Sequence, residues 1–384
     1  MASPLTTPSS RIQSIDLLRG VVIILMAIDH VRVYSGIPAG GATAGIFFTR
    51  WITHFCVPTF VFFAGTGAFM YGNKTGNKSS LPRFLVTRGF ILVLLELTVI
   101  RLAWTFNLDY ANFTLAGVIW MLGWCMILLA AFVRLPVTAI GIIGLAIITF
   151  QQIFQYLPGI LPSSIKNSVG MIWEFIYPSG LNGVPGISIL YVIVPWIGVM
   201  MAGYAFGKIM LMEASRRNRI CRSVGLSATA LFLIIGSIII LRQSSKPEAP
   251  PFLFRLLNQK KYPASQLYLL MTLGPVIALL PFAERARGWF ANVLITFGRV
   301  PMFYYILHIL LIHIVALIVM WLRGSNASEW YTTAPFTGMP EEHRWGLSLL
   351  YLVFIIVVTL LYFACRWYGK YKFGHPEKKW LKYI

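Results

Sequence analysis

Hydrophobic positions along the chain arrive in repeated runs of about 20 residues, the length an α-helix needs to cross the hydrocarbon core of a bilayer. The runs fall at 16–35, 50–72, 84–105, 114–133, 135–153, 188–209, 221–241, 265–283, 300–322 and 346–367. They predict an all-α, polytopic membrane helix bundle of about ten transmembrane helices. That bundle occupies residues 15–368, between a polar, Ser/Thr/Pro-rich tail over 1–14 that is expected to be disordered and a basic tail over 369–384. Segment 288–298, GWFANVLITFG, is too short to span and predicts an interfacial helix leading into the next span. Segment 154–187, broken by several Pro and Gly residues, is the longest external connection and a candidate lid or acceptor-binding loop.

Composition sharpens this picture. Only 11% of the 384 residues are charged, against about a quarter in a soluble domain, so essentially no soluble domain is expected. The net charge of +20 would suit nucleic acid. The Lys and Arg residues sit mainly in short loops and at helix ends, however, and no basic cluster is interleaved with stacking aromatics on a soluble surface. Clusters at Lys74/Lys78/Arg83, at Lys208/Arg216/Arg217/Arg219/Arg222, at Arg285/Arg287 and from Lys370 to Lys382 fall on one side of the bundle. By the positive-inside rule that side is cytoplasmic, with both termini inside, as for a multi-pass protein of a cell's inner (cytoplasmic) membrane. Loop 242–263 disagrees: it should be external, yet it carries Arg242, Lys246, Arg255, Lys260 and Lys261. Either a span is miscounted or the loop has its own basic purpose, such as an anionic acceptor or lipid. Its core PPFLFRLLNQKK predicts a short interfacial amphipathic helix. A signal h-region would not contain Arg19, Asp29 and His30, so the first helix is expected to remain uncleaved. The four cysteines (Cys56, Cys125, Cys221, Cys365) are scattered, and CxxC, HExxH and Gly-rich phosphate-loop patterns do not occur. No metal site or disulfide framework is predicted.

The candidate chemistry starts in the first helix, SIDLLRGVVIILMAIDHVRVY. Charged groups at the centre of a membrane helix cost roughly 2.5–3.5 kcal/mol each and seldom persist without a job or a partner. Arg19 and His30 are eleven positions apart. That is three turns plus about 20°, so they share one stripe, with Asp16, separated by about 16 Å along the axis. A cation at one end and an imidazole deeper on the same stripe can hold the two ends of a long substrate. His30 is either a hydrogen-bonded core histidine or a general base. Asp29 either orients it or pairs with Arg32 at i,i+3. His54, one turn into the second span, lies at similar depth and is either satisfied by water or within reach of the same acceptor. Glu96, well inside the third span and poorly aligned with Arg101, is expected to face another helix, in an ion pair or in catalysis. His308 has Tyr304 one turn back, whereas His313 lies about 140° around the helix, so only one of the two histidines can face a given site. Arg19, Arg88 and Arg299 each open a span beside a glycine, with an ionisable group two to three turns deeper. They either snorkel to lipid headgroups or bind a nucleotide's phosphates.

The sequence RIQSIDLLRGVVIILMAIDHVRVY, followed by HFCVPTFVFFAGTGAF, resembles the opening two helices of bacterial membrane proteins related to heparan-α-glucosaminide N-acetyltransferase. RFLVTRGFILVLLELT, VIWMLGWCMILLA, PWIGVMMAGYAFGKIM and FGRVPMFYYILHI extend the likeness in order over most of the chain. The Arg-Gly then His spacing also resembles the wider group of membrane acyltransferases that decorate cell-surface glycans. The resemblance implies transfer of an acyl group, typically acetyl, from cytosolic acetyl-CoA to a sugar hydroxyl or amine on the far side. Acetyl-CoA would then be a co-substrate, with no tightly bound cofactor. In the wider group the first-helix His is catalytic, and it matches His30; the heparan enzyme has Asn there and its own proposed His in a loop beyond, whereas loop 36–49 of this chain has no His. On this reading His30, with Asp29 or His54, acts on the acceptor, and Arg19, Arg88 and Arg299 hold the phosphates. Asp16, Glu96, Tyr304 and His308 support them. The expected partners are the bilayer, acyl-CoA and a glycan or small-molecule acceptor, with a homodimer compatible with the pattern and nucleic acid excluded. Two alternatives remain open. One is a proton-coupled permease with an Asp29/Glu96/His308 relay, although inverted halves are not evident. The other is a non-catalytic subunit that anchors a glycan-assembly complex.

Overall fold

A computed structural model describes residues 12–39, 43–75, 80–178, 184–243, 249–325, 328–332 and 339–383. Most of the polar N-terminal tail, Lys78 and Lys246 lie outside them. The described chain is all-α apart from one pair of three-residue strands. In chain order the helices begin with α1 (Gln13–Tyr34), α2 (Ala44–Trp51), a 3₁₀ turn at Ile52–Phe55, and α3 (Cys56–Thr75). Next come α4 (Ser80–Leu95), a π-helical turn at Glu96–Ile100, α5 (Arg101–Thr105), strand β1 (Thr114–Ala116), α6 (Val118–Phe132) and α7 (Val137–Thr149). The short α8 (Ile153–Tyr156), α9 (Ser163–Ile176) and β2 (Ile187–Ile189) follow, then α10 (Trp196–Met210) and α11 (Ala214–Arg242). The chain ends with α12 (Phe252–Leu257), α13 (Gln266–Arg285), α14 (Trp289–Arg299), α15 (Pro301–Leu322), α16 (Ser328–Thr332) and α17 (Leu347–Gly374).

Every apolar run of the sequence contains a helix, but fewer of these helices than the expected ten have the length and composition of a full span. Among the described residues five helices are long and apolar enough to cross a membrane: Ala44–Lys74, α11, α13, α15 and α17. Val137–Thr149 and Ile153–Ile160, bent by 65°, make a sixth if counted as one span. This is a multi-pass membrane protein, without support from length for ten full spans. The reasons are local. α1 has the length but carries Asp16, Arg19, Asp29 and Arg32, α6 and α10 stop at 15 residues, and α4 breaks into a π turn. The expected short helices do form, at α12 and α14.

α1 is the axis of the structure. It packs against α3, α13, α14, α15 and α17, and is buried along most of its length. A helix wrapped in protein never presents its charges to lipid, which is why this one tolerates Asp16, Arg19, Asp29 and Arg32. The outer surface is of the opposite kind: Leu231, Ile234 and Leu241 of α11, with Ile355, Leu360 and Phe363 of α17, are exposed apolar side chains suited to acyl chains. Small residues let the inner helices touch. At Gly20 of α1 and Gly298 of α14 an added Cβ would overlap the main-chain carbonyl of Leu294 or of Asp16. Gly89 of α4 similarly faces the Gly123 carbonyl of α6, 2.6 Å from where its Cβ would be. The Arg-Gly echo of the sequence therefore marks helix crossings, with the arginine beside each contact point.

Loops close one end of the bundle, named here the His30 end. Arg101, 1% exposed, staples loop 106–113 by donating to the carbonyls of Phe113, Asn107 and Asp109, and its guanidinium sits 4.4 Å from the Tyr110 ring centre. β1 and β2 then pair in parallel, Leu115 against Ser188, and Leu190 and Tyr191 both donate to the Ala116 carbonyl. α12 is fastened over the same end by Phe254, stacked on Phe47 of α2 at 4.4 Å.

Candidate functional site

Two cavities lie along α1. The larger, of about 450 Å³, runs from the Arg19 end and is lined by Asp16, Arg19, Arg88 and Tyr71 among mainly apolar residues. The smaller, of about 160 Å³, is bordered by Asp29, His30, Glu96, Trp104, Tyr191 and Lys261. Four side chains belong to both walls: Met26, Val57, Val118 and Tyr305. The arginine-lined cavity and the histidine-lined one therefore meet at a partition one helical turn from His30.

His30 and His308 form the most specific feature. His30 Nδ1 lies 2.7 Å from His308 Nε2, with the rings stacked at 4.8 Å. His308 Nδ1 lies 2.6 Å from the Tyr305 carbonyl and 3.1 Å from that of Tyr304. A carbonyl only accepts, so the proton of neutral His308 is assigned to Nδ1 and its Nε2 carries a lone pair. His30 Nδ1 must then be the donor, which leaves the lone pair of His30 on Nε2. The network thus sets one tautomer in each ring and leaves His30, which borders the smaller cavity, with its lone pair on Nε2. Tyr304 stacks on His308 at 5.0 Å and lies outside both cavity walls.

The other expected residues separate into those brought together and those not. Asp29 is bonded to Arg32, Nε to Oδ1 at 3.0 Å and Nη2 to Oδ1 at 2.9 Å, with the Lys261 ammonium 4.0 Å away. His30 takes its orienting bond from His308, so Asp29 belongs to the charge cluster of the chamber. Glu96 meets a helix end where an ion pair was one expectation. Its Oε2 accepts from the main-chain N–H groups of Ile119 at 3.0 Å and Trp120 at 3.3 Å, capping α6. A carboxyl oxygen there satisfies donors that the start of the helix would otherwise leave orphaned. His54 borders neither cavity. The 3₁₀ turn that holds it places the ring edge-on to Tyr268 at 5.5 Å, and neither ring nitrogen has a hydrogen-bond partner among the described residues. His313 Nδ1 donates to the Ala103 carbonyl, 2.9 Å away, and the residue borders neither cavity.

Of the three arginines, Arg19 and Arg88 line the larger cavity and Arg299 does not. Arg19 donates to the Phe63 carbonyl. Arg88 buries an Nε that has no hydrogen-bond partner among the described residues. Arg299 lies with its guanidinium 5.9 Å from the Phe373 ring. Among the described residues no three His, Cys, Asp or Glu side chains come together as a metal site. Lys261 and the partition residues escape a residue-by-residue reading of the sequence. The excess charge of loop 242–263 was the signal for the lysine. Met26, Val57 and Val118 give no signal, because apolar residues at helical spacing look alike whether they face lipid, core or cavity.

Residues 11–241 match the family model of the catalytic domain of heparan-alpha-glucosaminide N-acetyltransferase. The chain belongs to that family. The match covers well over half of its 384 residues. No curated protein matches the chain. The heparan-alpha-glucosaminide N-acetyltransferase match contains Arg19, His30, Arg88 and Glu96, whereas Lys261, Tyr305 and His308 lie beyond it. The matched region thus builds most of both cavities of this family member, α15 completes both, and the loop between α12 and α13 borders the smaller one.

Proposed function

We propose that this chain is a membrane acetyltransferase that carries an acetyl group from acetyl-CoA to an amine or hydroxyl of a sugar, a glucosaminide being the acceptor class that the family's description suggests. The observation that carries the reading is the meeting of the two cavities one turn below His30, with arginines at one end and a free imidazole lone pair at the other. Arg19 and Arg88 bind the phosphates at the mouth of the larger cavity, and its apolar walls take the pantetheine arm. The thioester carbonyl reaches the partition, and the acceptor occupies the His30 chamber. As the acceptor nitrogen or oxygen adds to the thioester carbon, His30 Nε2 takes its proton. The C–S bond then breaks, and the departing thiolate is protonated from His30 or solvent. The basic loops support a cytoplasmic Arg19 end in the inner membrane, so that the acetyl group moves outward.

His308 is the positioning residue of this mechanism: it accepts from His30 Nδ1 and so holds the lone pair on Nε2, as the third group of a base–orienter pair does. His308→Phe is expected to lower kcat about 10²-fold, at the low end of what a positioned base contributes, with little change in KM for acetyl-CoA. His308→Gln, whose carbonyl can accept the same bond, is expected to recover part of the loss. Equal kcat values for the two variants would remove the orienting role.

The reading is tested with purified protein in sealed vesicles, acetyl-labelled CoA outside and glucosamine inside. Label on the enclosed sugar is the expected result. Intact thioester after incubation with folded protein would overturn it, and would also favour a permease over this reading.

A further inference from the structure

We infer that the partition formed by Met26, Val57, Val118 and Tyr305 measures the acyl chain and restricts the donor to short acyl groups such as acetyl. The inference rests on the acyl-transfer reading and adds to it the residues that choose the donor. These four side chains border both cavities, so a thioester delivered through the larger one must present its carbonyl among them to be met by an acceptor in the smaller. Their placement matches that task. Met26 lies four residues before His30 on α1, and Tyr305 three residues before His308 on α15, so the partition sits one turn below the histidine pair on the same two helices. Val57 lies in the first turn of α3 and Val118 opens α6, whose following N–H groups are held by Glu96.

Three of the four are largely enclosed by protein. Met26, Val57 and Tyr305 are each 6% exposed. Tyr305 is also held through its main-chain carbonyl, which accepts from His308 Nδ1 at 2.6 Å. Beyond the partition the chamber offers about 160 Å³, which must hold both the acyl group and the reacting end of the acceptor. Each added methylene would take space from the acceptor or press on side chains already packed against α1. A closely packed site discriminates by roughly 10–200-fold per methylene. In the transfer itself nothing changes with chain length: the acceptor–carbonyl bond forms, the C–S bond breaks, and CoA leaves as the thiol.

The experiment measures kcat/KM for acetyl-, butyryl- and hexanoyl-CoA by release of CoA thiol, with glucosamine as acceptor, for the wild type, Met26→Ala and Val57→Ala. The ratio of hexanoyl to acetyl transfer is independent of how much of each preparation is folded. It is expected to be low in the wild type and to rise about 10-fold or more in at least one variant. Wild-type protein that uses hexanoyl-CoA as well as acetyl-CoA, or an unshifted ratio in both variants, would overturn the role of the partition while leaving acetyl transfer intact. Absence of transfer from every donor by the wild type would instead overturn the acyl-transfer reading, and this inference with it.

Discussion

His30→Ala is expected to reduce acetyl transfer by about 10²–10⁴-fold, the range a positioned general base contributes. The loss should appear in kcat, because Arg19, Arg88 and the walls of the larger cavity are untouched. The same substitution removes the donor to His308 Nε2, and an unpaired buried acceptor costs about 1–3 kcal/mol, so a fall in melting temperature is expected as well. His30→Asn separates the two effects. Its side-chain amide can still donate to His308, which preserves the packing, but it cannot take up a proton. It should therefore melt near the wild type and remain as inactive as the alanine variant. CoA should raise the melting temperature of wild type and both variants alike, since a ligand that binds only the native state stabilises it. Transfer by His30→Asn at the wild-type rate would remove His30 from the chemistry.

The axis of this site was legible in the sequence because it is a property of one helix. Arg19 and His30 share a stripe by helical geometry alone, and the cost of such groups in an apolar run points to a role whatever surrounds them. The same reasoning reached His308 and set it apart from His313, because about 140° of rotation cannot be undone by packing. What lay between helices was not legible. His54 has the depth of His30, but the 3₁₀ turn at Ile52–Phe55 carries it toward Tyr268, and nothing in HFCVPTF announces that turn. Glu96 was recognisable as a buried carboxylate, yet its partner is a pair of main-chain N–H groups, which leave no mark in the sequence. Arg299 repeats the Arg-Gly pattern in reverse order and ends up beside Phe373. Lys261 illustrates a middle case: its loop stood out by charge, but its place beside Asp29 depends on the docking of α12 against α2. Span counting was limited in the same way, since a helix shielded by its neighbours can be short or charged and still belong to the bundle.

Gly298→Val is expected to be the most destabilising single substitution at the α1–α14 crossing, by about 3 kcal/mol or more, so that the protein melts well below the wild type in detergent or fails to accumulate. A Cβ at this position would overlap the carbonyl oxygen of Asp16, lie 2.7 Å from the Asp16 carbonyl carbon and 3.0 Å from the Gly20 nitrogen. All of these atoms are main chain inside a helix, so no rotamer change relieves the clash and the two axes must separate. The gain from replacing a helical glycine, about 0.5–1 kcal/mol, is too small to offset this. In a bilayer the penalty is not softened by hydrophobic burial, because lipid is as apolar as the helix surface and close packing is what holds the crossing together. Separation there also carries function. Asp16 and Arg19 flank the contact and line the larger cavity, so any Gly298→Val protein that does fold should show a raised KM for acetyl-CoA. Gly159→Ala provides the comparison: that glycine is exposed and has nothing within 4 Å of its added Cβ, and the variant should melt within a degree or two of the wild type. Equal melting temperatures for Gly298→Val and Gly159→Ala would mean that α1 and α14 do not meet at this glycine pair.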